Sequence, residues 1–216
     1  MHASRILGVL GVALFVGGMA LAAEEAVKPI SLPKPQTEGG KPLMQALKDR
    51  QTSRSFSSEK LPEQMLSNLL WAADGVNRAD GKRTAPTAMN RQEIDVYVAT
   101  ADGLYLYDAK ANALQPVVEK DIRALTGKQP FVKDAPVCLV FVADYARMGD
   151  GSEADKAVYS AADAGFVSQN VYLFCASEGL ATGVRAMIAK DELAPAMKLR
   201  PDQKIILAQC VGYPKK

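Results

Sequence analysis

The chain almost lacks histidine: of its 216 residues only His2 is one. Past that position no imidazole can serve as general base or metal ligand, which excludes Ser-His-Asp and Cys-His hydrolases and most transition-metal sites. Cysteine is scarce as well. Cys138, Cys175 and Cys210 each lie in apolar runs and no C-x-x-C occurs, so neither a thiol-redox motif nor a zinc cluster is expected. An odd number of such cysteines reads as buried free thiols, with a Cys138–Cys210 disulfide as the alternative. A dominant charge is missing too: 26 Lys+Arg against 24 Asp+Glu leave +2, which is no nucleic-acid footprint. The single tryptophan, Trp71, reads as core. There is no internal repeat and no heptad run. An enzyme made from this chain needs a cofactor to carry what imidazole carries elsewhere.

What is present begins with a targeting pattern. Met1 to Arg5 carry positive charge, Ile6 to Ala20 are apolar or small, and Ala20-Leu21-Ala22 has the form of a cleavage site. Residues 1–22 are therefore expected to be a signal peptide, and the protein to be exported, in a bacterium to the periplasm. The run is short for a membrane span and Glu24-Glu25 follow at once, leaving an uncleaved anchor as the alternative. Residues 23–40, with Pro29, Pro33, Pro35 and Gly39-Gly40, read as an extended linker. Residues 41–216 suffice for one domain with a real core.

Leu43, Met44 and Leu47 have helical spacing ahead of Arg50. Leu61-Pro62-Glu63 opens a second helix that ends near Gly75, and 76–85 read as a loop. Ile94 to Thr100 alternate apolar with polar as a strand, Ala101-Asp102-Gly103 turns, and Leu104 to Tyr107 return as a hairpin. Further strands are expected over 113–118, over 137–143 (covered on both faces), over 184–188 and over 205–211. Short helices are expected over 120–125 and 192–197, and the longest helix over 156–179. The small residues Ala161, Ala162, Ala164 and Gly165 of that helix would let another helix approach. Helices interleaved with mostly antiparallel strands make the class α+β.

Two polar clusters carry chemistry. Arg50-Gln51-Thr52-Ser53-Arg54 sets two guanidinium forks around a hydroxyl, a suitable grip for phosphate. Read alone, it is more often a solvated charge cluster at a helix end. Pro86-Thr87-Ala88-Met89-Asn90-Arg91-Gln92 is an amide-rich loop able to read the edge of a flat heteroaromatic ring, or simply a loop. Lys82 and Arg83 nearby would attract an anionic substrate or lie solvated. Tyr105, Tyr107 and Tyr159 are candidate proton donors, none of them singled out.

In order and spacing, these motifs resemble the FMN-dependent nitroreductase superfamily, and more closely its SagB-type dehydrogenase branch. Asp49 to Phe56 match an R-x-S-x-R-x-F element and Pro86 to Gln92 a P-S-x-x-N-x-Q element. Ala164 to Leu173 match a central-helix signature, Glu178 to Gly183 an E-G-L-G-T element, and Gln209 to Pro214 a closing strand with G-Y-P. The resemblance implies a nitroreductase-like homodimer with FMN at its interface. It places Arg50, Gln51, Thr52 and Arg54 around the FMN phosphate and ribityl chain. Asn90 and Gln92 would stand at the ring edge, with Pro86, Thr87 and Ala88 reaching the flavin of the other subunit. Glu178, Gly179 and Leu180 would lie near flavin N5. It implies a ping-pong oxidoreductase acting on a small molecule, or else an exported flavin- or ligand-binding module without turnover, or a fold that has lost FMN. Two departures stand out. Lys215-Lys216 are where the family has a basic phosphate-binding tail. Glu93-Ile94 are where an aromatic normally follows the N-x-Q element.

Overall fold

A computed structural model describes residues 28–216; the expected signal peptide lies outside them. Seven strands form one sheet in the order β1-β4-β3-β2-β5-β7-β6, every neighbouring pair antiparallel. They are β1 (Ile30–Ser31), β2 (Ile94–Ala99), β3 (Leu104–Asp108), β4 (Ala113–Val118), β5 (Val137–Asp144), β6 (Ala181–Arg185) and β7 (Gln203–Gly212). The helices are α1 (Leu43–Asp49), α2 (Glu63–Asp74), α3 (Glu153–Glu178) and α4 (Lys190–Ala196). The class is α+β, as expected.

Both faces of the sheet are covered, and β5 shows how. All eight of its residues are buried. Val137, Leu139, Phe141 and Ala143 face one core with Leu69 and Leu70 of α2 and Val167 and Val171 of α3. Cys138, Val140 and Val142 face a second core with Leu193 of α4, Ile205 and Ala208. A continuous apolar run is what a strand buried on both sides requires. β2 departs from its apparent alternation: Tyr97 and Ala99 are buried in the second core while Val96 and Val98 fill the first. Its Tyr97 face is covered by the second core, where the Gln203 side-chain amide of β7 donates to the Tyr97 hydroxyl.

Ser152 caps the start of α3, its hydroxyl accepting the Asp155 N–H, and Gly179 ends it at φ 71°. The extended stretch after residue 28 is docked on the domain. β1 pairs with β4, Leu32 is buried, and the Pro33 carbonyl accepts from Ser67 and Asn112.

The helix expected ahead of Arg50 is present as α1, with Leu43, Met44 and Leu47 exposed and only Ala46 buried. Other expectations need correction. Of the small residues on α3, Ala164 is fully buried in the core shared with Leu69, Leu70 and Ala73 of α2, whereas Ala161 and Ala162 are exposed and a Cβ on Gly165 would meet no atom within 4 Å, so only part of that turn receives a helix of the same chain. The strand expected over 184–188 runs over Ala181–Arg185, because pairing with β7 begins directly after the turn at Gly179. The helix expected over 120–125 is a 3₁₀ turn at Arg123–Thr126.

Candidate functional site

The first polar cluster lies on β6 and the C-terminal end of α3. The Ser53 N–H donates to the Thr182 carbonyl at 2.8 Å, fastening the loop along the free edge of β6. Contact is so close that a Cβ on Gly183 would stand 2.9 Å from the Ser53 carbonyl oxygen, and this is where the strand needs glycine. Tyr172 of α3 organises what the loop displays. Its hydroxyl is 2.9 Å from Thr52 Oγ1 and accepts the Val184 N–H at 3.0 Å. Its ring lies under the Arg50 guanidinium, 5.3 Å from centroid to Cζ. Arg50 is half-buried; Gln51, Thr52 and Arg54 are exposed. Neither Arg50 nor Arg54 has a carboxylate partner among the described residues. Both guanidinium groups are thus free to take an anion.

Glu178, Gly179 and Leu180 follow at the end of the same helix. Leu180 N–H bonds back to the Cys175 carbonyl at 2.8 Å and its side chain is buried, while Glu178 and Gly179 are exposed. At φ 71° Gly179 has a backbone other residues adopt only with strain, and a Cβ there would project into open space. A flat ring can approach this backbone directly. On the loop's other side the Lys215 N–H reaches the Ser55 carbonyl, one residue from Arg54. A groove of about 1330 Å³ runs past Phe56, Gly179, Tyr213, Lys215 and Lys216.

The second polar cluster lies elsewhere on α3. Ala88 N–H donates to Asp163 Oδ2 at 3.0 Å. Nine residues separate Asp163 from Tyr172, about 14 Å along the helix axis. Among the described residues no hydrogen bond joins Pro86–Gln92 to residues 50–54 or 178–180, so one chain does not bring the two halves of the expected site together. The loop holds three non-glycine residues at positive φ: Met89, Asn90 and Gln92. Each such conformation costs roughly 1 kcal/mol or more and persists only where the surroundings enforce it. The enforcement comes from Gln92, whose N–H donates to Thr87 Oγ1 and whose amide binds Asn90 Oδ1 and the Gly81 carbonyl.

Two further residues support this loop, and Arg83 does so in place of the substrate-attracting or solvated role expected of it. Arg83 is a strut: it donates to Gln92 Oε1 and pairs at 2.8 Å with Asp74, whose carboxyl burial pushes up to about 7 in spite of that cation. Lys82 merely pairs with Asp80 at the surface. The second support is Glu93, fully buried with neither carboxylate oxygen hydrogen-bonded. Burial, and the Asp163 carboxyl beside it, push it up to about 7, against Arg147, which draws it down. Its only signal in the sequence was the carboxylate standing where an aromatic was due. Of the tyrosines considered, Tyr107 is buried against Asn112 and held un-ionised by burial, and Tyr159 is exposed on α3. The Trp71 ring covers Gly75 and its N–H bonds the Val76 carbonyl, a structural role.

Because Glu93 titrates in the folded protein above its ordinary 4.5, the folded state holds the extra proton between those values. The stability tied to that proton is complete below about pH 4.5 and is lost as pH rises through about 7. Glu93→Gln, permanently neutral, should stay close to the wild type at pH 5 and gain on it by roughly 2–3 kcal/mol by pH 8 in urea unfolding. A difference independent of pH would show that Glu93 does not titrate in this range.

Comparison with known proteins follows the same outline. The profile of the nitroreductase family matches residues 47–213. A protein of Methanocaldococcus jannaschii named as a nitroreductase is 29% identical over 170 residues, 73% of this chain and 85% of its own. A crystal structure from Ralstonia eutropha JMP134, titled as a nitroreductase, superposes with a TM-score of 0.85 at 42% identity, covering 89% of this chain and 92% of that one. Another, from Desulfovibrio desulfuricans and in complex with FMN, superposes with a TM-score of 0.61 at 22% identity, covering 82% and 89%.

Proposed function

The chain belongs to the nitroreductase family, and from that premise we propose that it is an FMN-dependent oxidoreductase of SagB-type dehydrogenase character. The observation that carries this reading is the shelf formed by Arg50, Thr52 and Arg54. It offers two guanidinium groups without carboxylate partners, next to an open glycine backbone at the end of a long helix. An anionic group attached to a flat ring suits that shelf, and FMN has both.

Bound FMN would supply hydride transfer at N5, donor and acceptor using one site in turn. The chain's own residues bind and orient. Arg50 and Arg54 hold the phosphate, Gln51 and Thr52 the ribityl side, with Thr52 aimed by Tyr172. Glu178, Gly179 and Leu180 offer backbone to the ring. Lys215 and Lys216 are near enough to the loop to add positive charge. Pro86, Thr87, Ala88, Asn90 and Gln92 meet the flavin of a second subunit, which is why one chain keeps them apart from the shelf. The exposed Leu43, Met44 and Leu47 of α1, Val158, Tyr159 and Phe166 of α3, and Met89 of the loop support a homodimer. The Met1–Ala22 pattern supports export to the periplasm. There the donor would be a small molecule other than free NAD(P)H, which that compartment does not normally provide.

The test is the visible spectrum and sedimentation of protein purified without added flavin. A flavin spectrum, FMN released on denaturation and a dimeric mass are expected. Colourless protein that cannot be reconstituted with FMN would end this reading. A monomer that retains FMN would overturn the shared site alone.

A further inference from the structure

Across the sheet from the flavin shelf lies a buried polar site to which the oxidoreductase reading gives no role. Cys138 of β5 and Cys210 of β7 are directly opposed in the antiparallel ladder, fully buried, with their sulfurs 3.0 Å apart. Arg185 of β6 closes over them. Its Nη1 is 3.0 Å from Cys210 Sγ, while Nε and Nη2 donate to the carbonyl and hydroxyl of Thr126. This arginine is only 7% exposed, and among the described residues no carboxylate pairs with it. A buried cation demands a counter-charge, since an unpaired one costs several kcal/mol. The groups within reach that can become anionic are the two thiols.

We propose that Cys138 and Cys210 form a redox-active dithiol, kept as a thiol–thiolate pair by Arg185, which a small hydroperoxide converts to a disulfide. Opposed residues in an antiparallel ladder have Cα atoms about 4.5–5.5 Å apart, inside the roughly 4.4–6.8 Å that a disulfide spans, so the bond closes without strand movement. The thiolate attacks one peroxide oxygen: an S–O bond forms, the O–O bond breaks, and the departing oxygen takes up a proton as water or alcohol. The second sulfur then attacks the sulfenic sulfur. The S–S bond forms, the S–O bond breaks, and hydroxide leaves with the remaining thiol proton as water. Two electrons pass from the sulfurs to the peroxide.

Charge and access both favour this chemistry. Burial opposes ionisation, but the hydrogen bond between the two sulfurs and the Arg185 charge outweigh it and bring the first ionisation of the pair to about 7, while the second thiol is held protonated. The cover over the pair consists of two 3₁₀ turns, Arg123–Thr126 and Pro130–Lys133. Between them Gln129 is half-exposed, with its amide oxygen buried and unpaired. That oxygen and Arg185 Nε both lie within 3.0 Å of the point a Cβ on Gly127 would occupy. The pair therefore lies one layer of side chains beneath the surface, under turns that open more cheaply than sheet. Cys175, on α3 in the other core, has no such surroundings, and burial pushes its thiol up.

The experiment treats the full chain with hydrogen peroxide from pH 5 to pH 9, then denatures it in an alkylating reagent and maps the thiols by mass spectrometry. A Cys138–Cys210 bridge is expected, with Cys175 alkylated and the rate half-maximal near pH 7. Arg185→Met should lower the pH 7 rate about tenfold, the effect of raising the thiol by one unit. Should that variant not fold, the wild-type pH profile decides alone. Three alkylated thiols after treatment, or Cys175 oxidised as fast as the pair, would overturn the proposal. So would a midpoint near the ordinary thiol value of about 8.5.

Discussion

Arg50→Ala should leave the protein folded and nearly flavin-free. The Arg50 side chain is half-buried on the ring of Tyr172 and forms no ion pair within the chain, so its removal strands no partner charge. What it removes is a bidentate, charge-assisted contact to phosphate, worth about 3 kcal/mol. The dissociation constant for FMN, measured by fluorescence titration, should therefore rise about a hundredfold. Arg54→Ala should cost less, because Arg54 is exposed and its contact is screened by solvent. Arg50→Lys should recover only part of the loss, since an ammonium cannot reproduce the planar fork. An unchanged constant in Arg50→Ala would remove the phosphate from this shelf.

Phe141→Ala should destabilise the fold by about 3–5 kcal/mol. Phe141 is fully buried on β5, opposite Val96 of β2 and Leu207 of β7, with α2 and α3 on its side of the sheet. Interior strands and helices cannot readily collapse into the cavity, so both the transfer and the void contribute. The midpoint of thermal unfolding should fall by roughly 10 °C for a domain of this size. A loss under about 1 kcal/mol in urea would mean that the core repacks and that β5 is not its rigid centre. Because β5 lies between β2, which leads out of Glu93, and β7, which supports β6, reduced flavin retention should accompany the loss.

The fold was legible wherever local chemistry and burial agree. The apolar run of β5, the hairpin of β2 and β3, and the glycine end of α3 were each read to within a residue or two. β6 was misplaced because Met187 and Ile188 extend its apolar pattern, although Met187 is exposed and Ile188 turns into the second core. The helix spacing of α1 was read correctly, and its exposure is known only from the fold. Periodicity shows which residues share a face, without showing what the face meets. At the site, the phosphate-type cluster was legible from residue types alone. Tyr172, Arg83 and Glu93 were not, because their roles depend on partners brought near by folding: Thr52 is 120 residues from Tyr172 and Asp163 is 70 from Glu93. The Cys138–Cys210 register is likewise a property of two strands separated by 72 residues.

The loop that carries Arg50 and Thr52 also has a consequence for colloidal behaviour. A sheet of seven antiparallel strands has two outer strands whose unpaired N–H and C=O groups invite strand addition by another molecule. On one side β1 occupies β4 for two residues, and Pro116 leaves β4 without one donor. On the other, Ser53 takes the Thr182 carbonyl of β6, and Ser57 and Phe56 pair with Tyr213 and Pro214. The cofactor loop is thus also a selvedge, a finished border that keeps the sheet from growing. Cofactor and solubility are linked through it: a ligand that holds this loop down also keeps the molecule from joining its neighbours edge to edge.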